Sequence, residues 1–310
     1  MEKYYFGFDI GGTNIKAGII SDDDEILHSE IVPTQSLLKE KTLAEVLANI
    51  ISKFERETEF KLGSSDGIGI GMPGWVNMDT GVIEYANNID VSHYPLKEEL
   101  ENLLKFDKIY IGNDAYVATL AECKTGAGKK FKNFVMLTLG TGIGGGIVLN
   151  GEVLKASCEP GHMKISSENV LCSCGESGCF EVLASTRALV QMTANAMKEN
   201  TDSDMWKTYD LNSVSGKTVF DYLEDNTARE VLEKYIVNLG SGIVNLVNIF
   251  QPEAIVIGGA ISAQKDNLII PLEKYVNEHT YGRYADVKVN IISAELNKDA
   301  GLLGTKYLID

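Results

Sequence analysis

The sequence predicts an α/β protein of two domains, and three observations lead there. Strand-like and helix-like stretches alternate along 310 residues, a length that supports two hydrophobic cores. A glycine-threonine hairpin occurs twice: shifted by 128 residues, Gly12-Thr13 falls on Gly140-Thr141, Gly18 on Gly146, and Ile19-Ile20 on Ile147-Val148. Such a repeat reads as an internal duplication, with a cleft expected between the two halves. Hydrophobic residues make up 44% of the chain, an ordinary globular share with no apolar run of membrane-spanning length.

In chain order, residues 4–9 read as a strand, Gly11-Gly12 as a turn, and residues 14–20 and 26–32 as two further strands. The first turn thus joins two antiparallel strands, which is not the strand-to-helix setting of a P-loop or a dinucleotide fingerprint. Residues 37–60 have helical spacing of apolar residues. A buried strand over 68–72 ends at Pro73-Gly74, a helix covers 96–104, and a strand over 108–111 runs into Gly112-Asn113-Asp114, with a helix over 115–122 beyond. The pattern restarts with strands over 134–139, 144–149 and 152–155, the last two joined by the hairpin signal Asn150-Gly151. Helices are expected over 184–197 and 228–250, and a polar connection over 203–218. A strand over 255–257 follows, stopping at Gly258-Gly259, and a last helix over 298–309 is expected to pack back on the first domain.

The net charge of −16 argues against nucleic acid and anionic membranes as partners. The opening MEKYYFGFDI starts a strand at once, with no targeting character, so a cytoplasmic location is expected. Five cysteines, three of them clustered, fit a reducing compartment; Cys123 and Cys158 read as packing thiols.

The densest chemistry lies in EPGHMKISSENVLCSCGESGCFE. His162, Cys172, Cys174 and Cys179 offer one imidazole and three thiols, a set suited to a closed tetrahedral Zn²⁺ site, and Gly175 and Gly178 let the loop turn between sulfurs. Glu159 and Glu181 flank the loop, and carboxylates braced in this way can hold the hydroxyls of a polyol. Gly11-Gly12-Thr13 and Gly140-Thr141-Gly142 expose backbone N–H groups of the kind a polyphosphate needs. Asp9, beside the first turn, suits a hydrated Mg²⁺. Gly258-Gly259 leaves room for a flat adenosine. Asn113-Asp114 is the candidate catalytic pair, with Asp114 accepting a hydroxyl proton during phosphoryl transfer. Capping the next helix is the competing role for Asp114.

These motifs together resemble the ROK family of bacterial sugar kinases, within the actin, Hsp70 and sugar kinase superfamily. DIGGTNIKAG is similar to its first phosphate motif, GMPGWVN to its substrate loop, GND to its catalytic motif, LTLGTGIGGG to its second phosphate motif, EPGH with CSCGESGCFE to its sugar-and-zinc signature, and PEAIVIGG to its adenosine motif. The resemblance implies a two-domain actin-like (ribonuclease H-like) fold with an interdomain cleft. Residues 1–114 and 297–310 would form a small domain, and 115–296 a large one carrying the zinc loop. It implies Asp114 as general base and Gly74, Asn88, Asn113, Glu159, His162 and Glu181 as sugar ligands. Asp9, Gly11, Gly12, Thr13, Lys16, Gly140, Thr141, Gly142, Gly258 and Gly259 would serve ATP. Trp75 stands where family glucokinases often carry proline, and Asn88-Ile89-Asp90-Val91 where they often carry Asn-Leu-Gly-Trp.

The expectation is an ATP-dependent hexose kinase acting on the 6-hydroxyl of glucose or a near relative, with ATP, Mg²⁺ and a structural Zn²⁺, and a homodimer by resemblance. N-acetylmannosamine and β-glucosides are rival substrates. A sugar-sensing repressor of the same family is disfavoured by the acidic balance and by a strand starting at Tyr4, which leaves no room for a preceding DNA-binding module. A filament-forming or chaperone ATPase would have no use for glutamates braced by zinc.

Overall fold

The computed structural model describes residues 3–86, 89–285 and 288–309. By internal contacts the chain divides into one unit of residues 1–126, 153–157 and 298–310, and a second of residues 127–152 and 158–297.

The first unit is built on β1 (Tyr4–Ile10), β2 (Asn14–Ser21) and β3 (Ile26–Pro33), a short α1 (Thr34–Leu37), α2 (Leu43–Glu57) and β4 (Gly67–Met72). After β4 come β5 (Trp75–Asn77), β6 (Val82–Ala86) and β7 (Val91–Tyr94), then α3 (Leu96–Leu104), β8 (Ile109–Asn113) and α4 (Asp114–Lys124). Its main sheet has the order β3-β2-β1-β4-β8, with β1, β4 and β8 parallel and β2 and β3 antiparallel additions. Covered on both faces, β1 and β4 are apolar without alternation.

The helical spacing over 37–60 yields one helix, α2, which starts later than the spacing implies because a capping box sets its N-terminus. Thr42 Oγ1 accepts from Glu45 N at 3.2 Å while Glu45 Oε2 accepts from Thr42 N at 2.9 Å, fixing the start of α2 at Leu43. From there Leu43, Val46, Leu47, Ile50, Ile51 and Phe54 fall on one buried stripe. The short β5-β6-β7 sheet is absent from the sequence reading, since three- to five-residue strands carry too few alternations to register.

In the second unit β9 (Phe134–Leu139), β10 (Ile143–Leu149) and β11 (Glu152–Val153) precede α5 (Phe180–Ala184), α6 (Thr186–Glu199) and α7 (Asn226–Phe250). They are followed by β12 (Ala254–Gly258), α8 (Ile269–His279) and β13 (Asn290–Ser293). The sheet order β11-β10-β9-β12-β13 repeats that of the first unit, with β9-β10 antiparallel and β9-β12-β13 parallel. Among the described residues no helix is long and apolar enough to cross a membrane.

The expected last helix is broken: α9 spans only Ala300–Gly304, with 3₁₀ turns on either side. It packs within the first unit, where a Cβ on Gly301 would fall on the Asp9 carboxylate. The polar connection over 203–218 holds a 3₁₀ turn at Asp204–Lys207.

Candidate active site

In the first unit the carboxyl ends of β1, β4 and β8 lie side by side, with Asp9 opposite Gly71, Gly71 opposite Gly112, and Met72 opposite Asn113. Gly112 there leaves room for the Leu308 side chain, which a Cβ at that position would meet. Asp114 follows on the first turn of α4. The helix cap is Asn113 rather than Asp114: its Oδ1 accepts from Ala115 N at 3.0 Å and Tyr116 N at 3.1 Å. Asn113 is 2% exposed, and its Nδ2 donates to Gly74 O at 3.0 Å, leaving one N–H of that amide. Asp114 Oδ1 also accepts from Ala115 N, at 2.8 Å.

Burial pushes the Asp114 carboxyl up, opposed by the N–H bonds at the start of α4. Asp9 is pushed up to about 6, chiefly by burial and next by the charge of Asp114, with Lys16 pulling the other way. Lys16 is directly opposite Asp9 across β1 and β2, and its Nζ also meets the Asp299 carboxylate and Lys298 O. The hairpin itself closes through Gly11 N donating to Asn14 O at 2.8 Å.

The raised Asp9 has a stability consequence. A carboxyl with a folded pKa above its unfolded one holds a proton that the unfolded chain releases, so stability falls as pH rises from about 4 through about 6. Without ligands, Asp9→Asn is therefore expected to be more stable than wild type at pH 7 by about 1–3 kcal/mol, with the gain gone below about pH 4. Urea unfolding at both pH values measures it. A variant less stable at pH 7, or equally shifted at both, contradicts the sign.

In the second unit the Glu159–His162 turn lies on β10, where a Cβ on Gly161 would meet Ile143 O. His162 N donates to Glu159 O at 3.1 Å. Ile165 N and Phe180 N donate to Gly178 O and Met163 O at 3.0 and 2.7 Å, drawing the cysteine loop back on the turn. Gly175 and Gly178 take φ of +91° and +74°, the left-handed region the thiol loop requires. His162 Nδ1 lies 3.7 Å from Cys172 Sγ, Cys174 Sγ lies 3.7 Å from Cys179 Sγ, and all four ligand atoms are within 4.8 Å of one another.

A tetrahedral Zn²⁺ with its usual bond lengths separates two sulfurs by about 3.8 Å and a sulfur from a nitrogen by about 3.6 Å, so the donor set fits the ion. Cys179 also needs a cation to ionise. Burial, then the neighbouring thiols, push Cys179 up to about 12, and a divalent ion inverts that balance.

Cys179 immediately precedes α5, which carries Glu181 in its first turn. The Glu181 side chain is 13% exposed; its Oε2 accepts from Ile143 N at 3.1 Å and its Oε1 from Ser173 Oγ at 3.4 Å, with Arg187 at 3.6 Å. Gly142 must lack a side chain, because a Cβ there would meet this carboxylate. Thr186 N donates to Gly140 O at 3.0 Å. Gly258 lies opposite Thr138 on β12, and Gly259 begins the turn beyond, its α-carbon against Leu139.

The residues expected from the sequence therefore gather in two sets. Asp9, Gly11, Gly12, Thr13, Lys16, Gly74, Asn113 and Asp114 belong to the first unit, and Gly140, Thr141, Gly142, Glu159, His162, Glu181, Gly258, Gly259 and the cysteines to the second. Asn88 lies outside the described residues. Sequence reasoning missed Asp299 and Gly301 beside Lys16 and Asp9, and Ser157, whose Oγ accepts from Val76 N at 3.1 Å. Only the small residues of DAGLLG hinted at a close approach.

This arrangement, two matching sheets with acidic and glycine-rich strand ends and a cysteine-histidine loop, defines a phosphotransferase of the actin-like class. The ROK family model matches residues 5–310, and the chain belongs to the ROK family. It is 35% identical to a glucokinase of Halalkalibacterium halodurans, over 99% of this chain and 95% of that protein. A ROK family glucokinase from Streptomyces griseus, solved in complex with glucose and AMPPNP, superposes with a TM-score of 0.83 at 27% identity, covering 98% of each chain. The ROK hexokinase of Thermus thermophilus gives 0.75 at 30% identity, over 98% of this chain and 97% of that one. The fold is that of the actin-like ROK sugar kinases.

Proposed function

We propose that the chain is an ATP-dependent hexose kinase that phosphorylates the 6-hydroxyl of glucose. The observation that carries this reading is Asp114: a carboxylate of raised pKa immediately after β8, with the cap of α4 supplied by Asn113, and close enough to Asp9 for the two charges to interact. Its free oxygen lone pairs take the proton of the attacking hydroxyl, and a raised pKa brings its basicity closer to the working pH. The glucokinase relatives and the glucose and AMPPNP of the Streptomyces griseus complex support the substrate pair.

Glu159, His162 and Glu181 accept or donate to the sugar hydroxyls, with His162 using Nδ1 for the metal and its other ring nitrogen for the sugar. The remaining N–H of Asn113 and the carbonyl side of Gly74 complete the ligand set; Asn88 is assigned to it on its motif. The backbone N–H groups of residues 11–13 and 140–142 bind phosphate oxygens, Lys16 offsets their charge, and Gly258-Gly259 admits adenosine. His162, Cys172, Cys174 and Cys179 would hold Zn²⁺, which supplies rigidity to the loop between Glu159 and Glu181. Mg²⁺ would accompany ATP beside Asp9, whose charge is otherwise opposed by Asp114. The reading includes cytoplasmic work, supported by five free cysteines, and a homodimer, which light scattering would test.

The testing experiment is coupled ADP release over a panel of hexoses and N-acetylhexosamines. Glucose is expected to give the highest kcat/KM. N-acetylmannosamine ahead of glucose by about a hundredfold would move the assignment to an acetamido sugar.

A further inference from the structure

From the end of β11 the chain makes a short excursion. Residues 127–152 and 158–297 belong to the second unit, but residues 153–157 fold with the first. What they meet there is the substrate loop itself. β5 stands at one end of the order β5-β6-β7, so its outer edge pairs with no strand among the described residues. Val76 on that strand is 4% exposed, and an N–H and C=O buried at a sheet edge need partners from elsewhere. Both find one hydroxyl. Ser157 Oγ accepts from Val76 N at 3.1 Å and donates to Val76 O at 3.2 Å, so a single side chain stands in for a neighbouring strand. Two residues earlier, Lys155 Nζ meets the Asp79 carboxylate beyond the end of β5. That pair is 61% and 82% exposed and contributes little, so the hold on β5 rests on Ser157.

The segment held in this way is the one that carries Gly74. At its inner end the Gly74 carbonyl accepts from Asn113 Nδ2 at 3.0 Å, and Asn113 precedes the proposed base. Gly74 takes φ of +92°, and a Cβ there would strike Tyr85 O, so only glycine allows this path. Two residues on, Val76 is held by Ser157. The loop is thus clamped at both ends, by the residue before Asp114 and by a residue two before Glu159. With Cys158 as the whole linker, the α-carbon of Glu159 lies no more than about 7 Å from that of Ser157. One hydroxyl therefore ties the backbone of the substrate loop to the chain that delivers Glu159.

We propose that Ser157 is a positioning residue for the sugar, whose hydroxyl fixes the Gly74–Val76 backbone relative to Glu159 and thereby sets affinity for the acceptor. The inference rests on the hexose kinase reading, and it assigns a role to a residue that lies outside every motif named above. The glycine hairpins assigned to ATP are closed by their own bonds, Gly11 N to Asn14 O at 2.8 Å and Gly140 N to Gly142 O at 3.0 Å. Loss of the tether is therefore expected to act on the sugar alone.

The test compares Ser157→Ala, Ser157→Thr and Lys155→Ala with wild type in two measurements. In steady-state kinetics Ser157→Ala is expected to raise KM for glucose by about tenfold, the scale of two neutral hydrogen bonds, with KM for ATP within about twofold and kcat within about threefold of wild type. Ser157→Thr keeps the hydroxyl and should return KM for glucose to within about twofold of wild type. Lys155→Ala, which removes only the exposed pair, should change it by less than about twofold. A residue that merely stabilised the fold would not produce this split between the two substrates. Hydrogen exchange at the Val76 amide reads the tether without any turnover: it should quicken by about tenfold in Ser157→Ala and recover in Ser157→Thr. Unchanged exchange at Val76 in Ser157→Ala overturns the tether. Faster exchange with an unchanged KM for glucose, or with KM for ATP raised as much as that for glucose, overturns the positioning role and leaves the kinase reading standing. No sugar-dependent ADP release from wild type with any hexose overturns the kinase reading, and the role of Ser157 with it.

Discussion

Asp114→Asn is expected to lower kcat by about 10²- to 10⁴-fold while sugar and ATP affinities stay within a few-fold of wild type. Asparagine keeps the size of the side chain and can still accept from Ala115 N, as Asp114 Oδ1 does at 2.8 Å. What it loses is the capacity to take a proton. A structural account predicts a near-silent change, and the cap geometry sharpens that contrast. Asn113 already satisfies Ala115 N and Tyr116 N, so α4 does not depend on the acid after it. Relieving a buried carboxylate of its charge is also expected to leave thermal stability equal or slightly higher. A purified Asp114→Asn protein with wild-type melting and more than about a tenth of wild-type kcat would remove Asp114 from the role of base.

The second large effect concerns the thiol loop. Purified protein is expected to carry one zinc per chain, and Cys174→Ser, Cys179→Ser or strong chelation should release it. Glu181 lies two residues after Cys179, and the Glu159 turn is held by the same loop, so KM for glucose should rise by about 10- to 100-fold as metal is lost. The melting temperature should drop as well, since metal binding to a folded site contributes to folding free energy. Metal analysis with parallel kinetics and melting tests this. Fully active protein with a zinc content near zero would take the ion out of the account.

Where the sequence was legible, local chemistry carried the signal. The Gly-Thr hairpins stood out because glycine clusters between β-branched runs leave few alternatives, and the matching strand orders of the two sheets follow from the repeat they mark. The cysteine-histidine loop was readable because its ligands are close in sequence, and the same nearness places their donor atoms within 4.8 Å. Features set by distant partners were not readable. The Lys16–Asp299 ion pair joins residues at opposite ends of the chain, and the pressure of α9 on Asp9 depends on Gly301. The start of α2 was misplaced because apolar spacing continued through a capping box that the backbone obeys.

The central claim is transfer of the terminal phosphoryl group of ATP to the 6-hydroxyl of a hexose. A single-turnover reaction with γ-labelled ATP, glucose and Mg²⁺, analysed for the position of the label on the sugar, tests it most directly. Label appearing on the 6-oxygen in equal amount with ADP is the predicted result. ADP formed with the label in inorganic phosphate, or label on any other sugar oxygen, would contradict it.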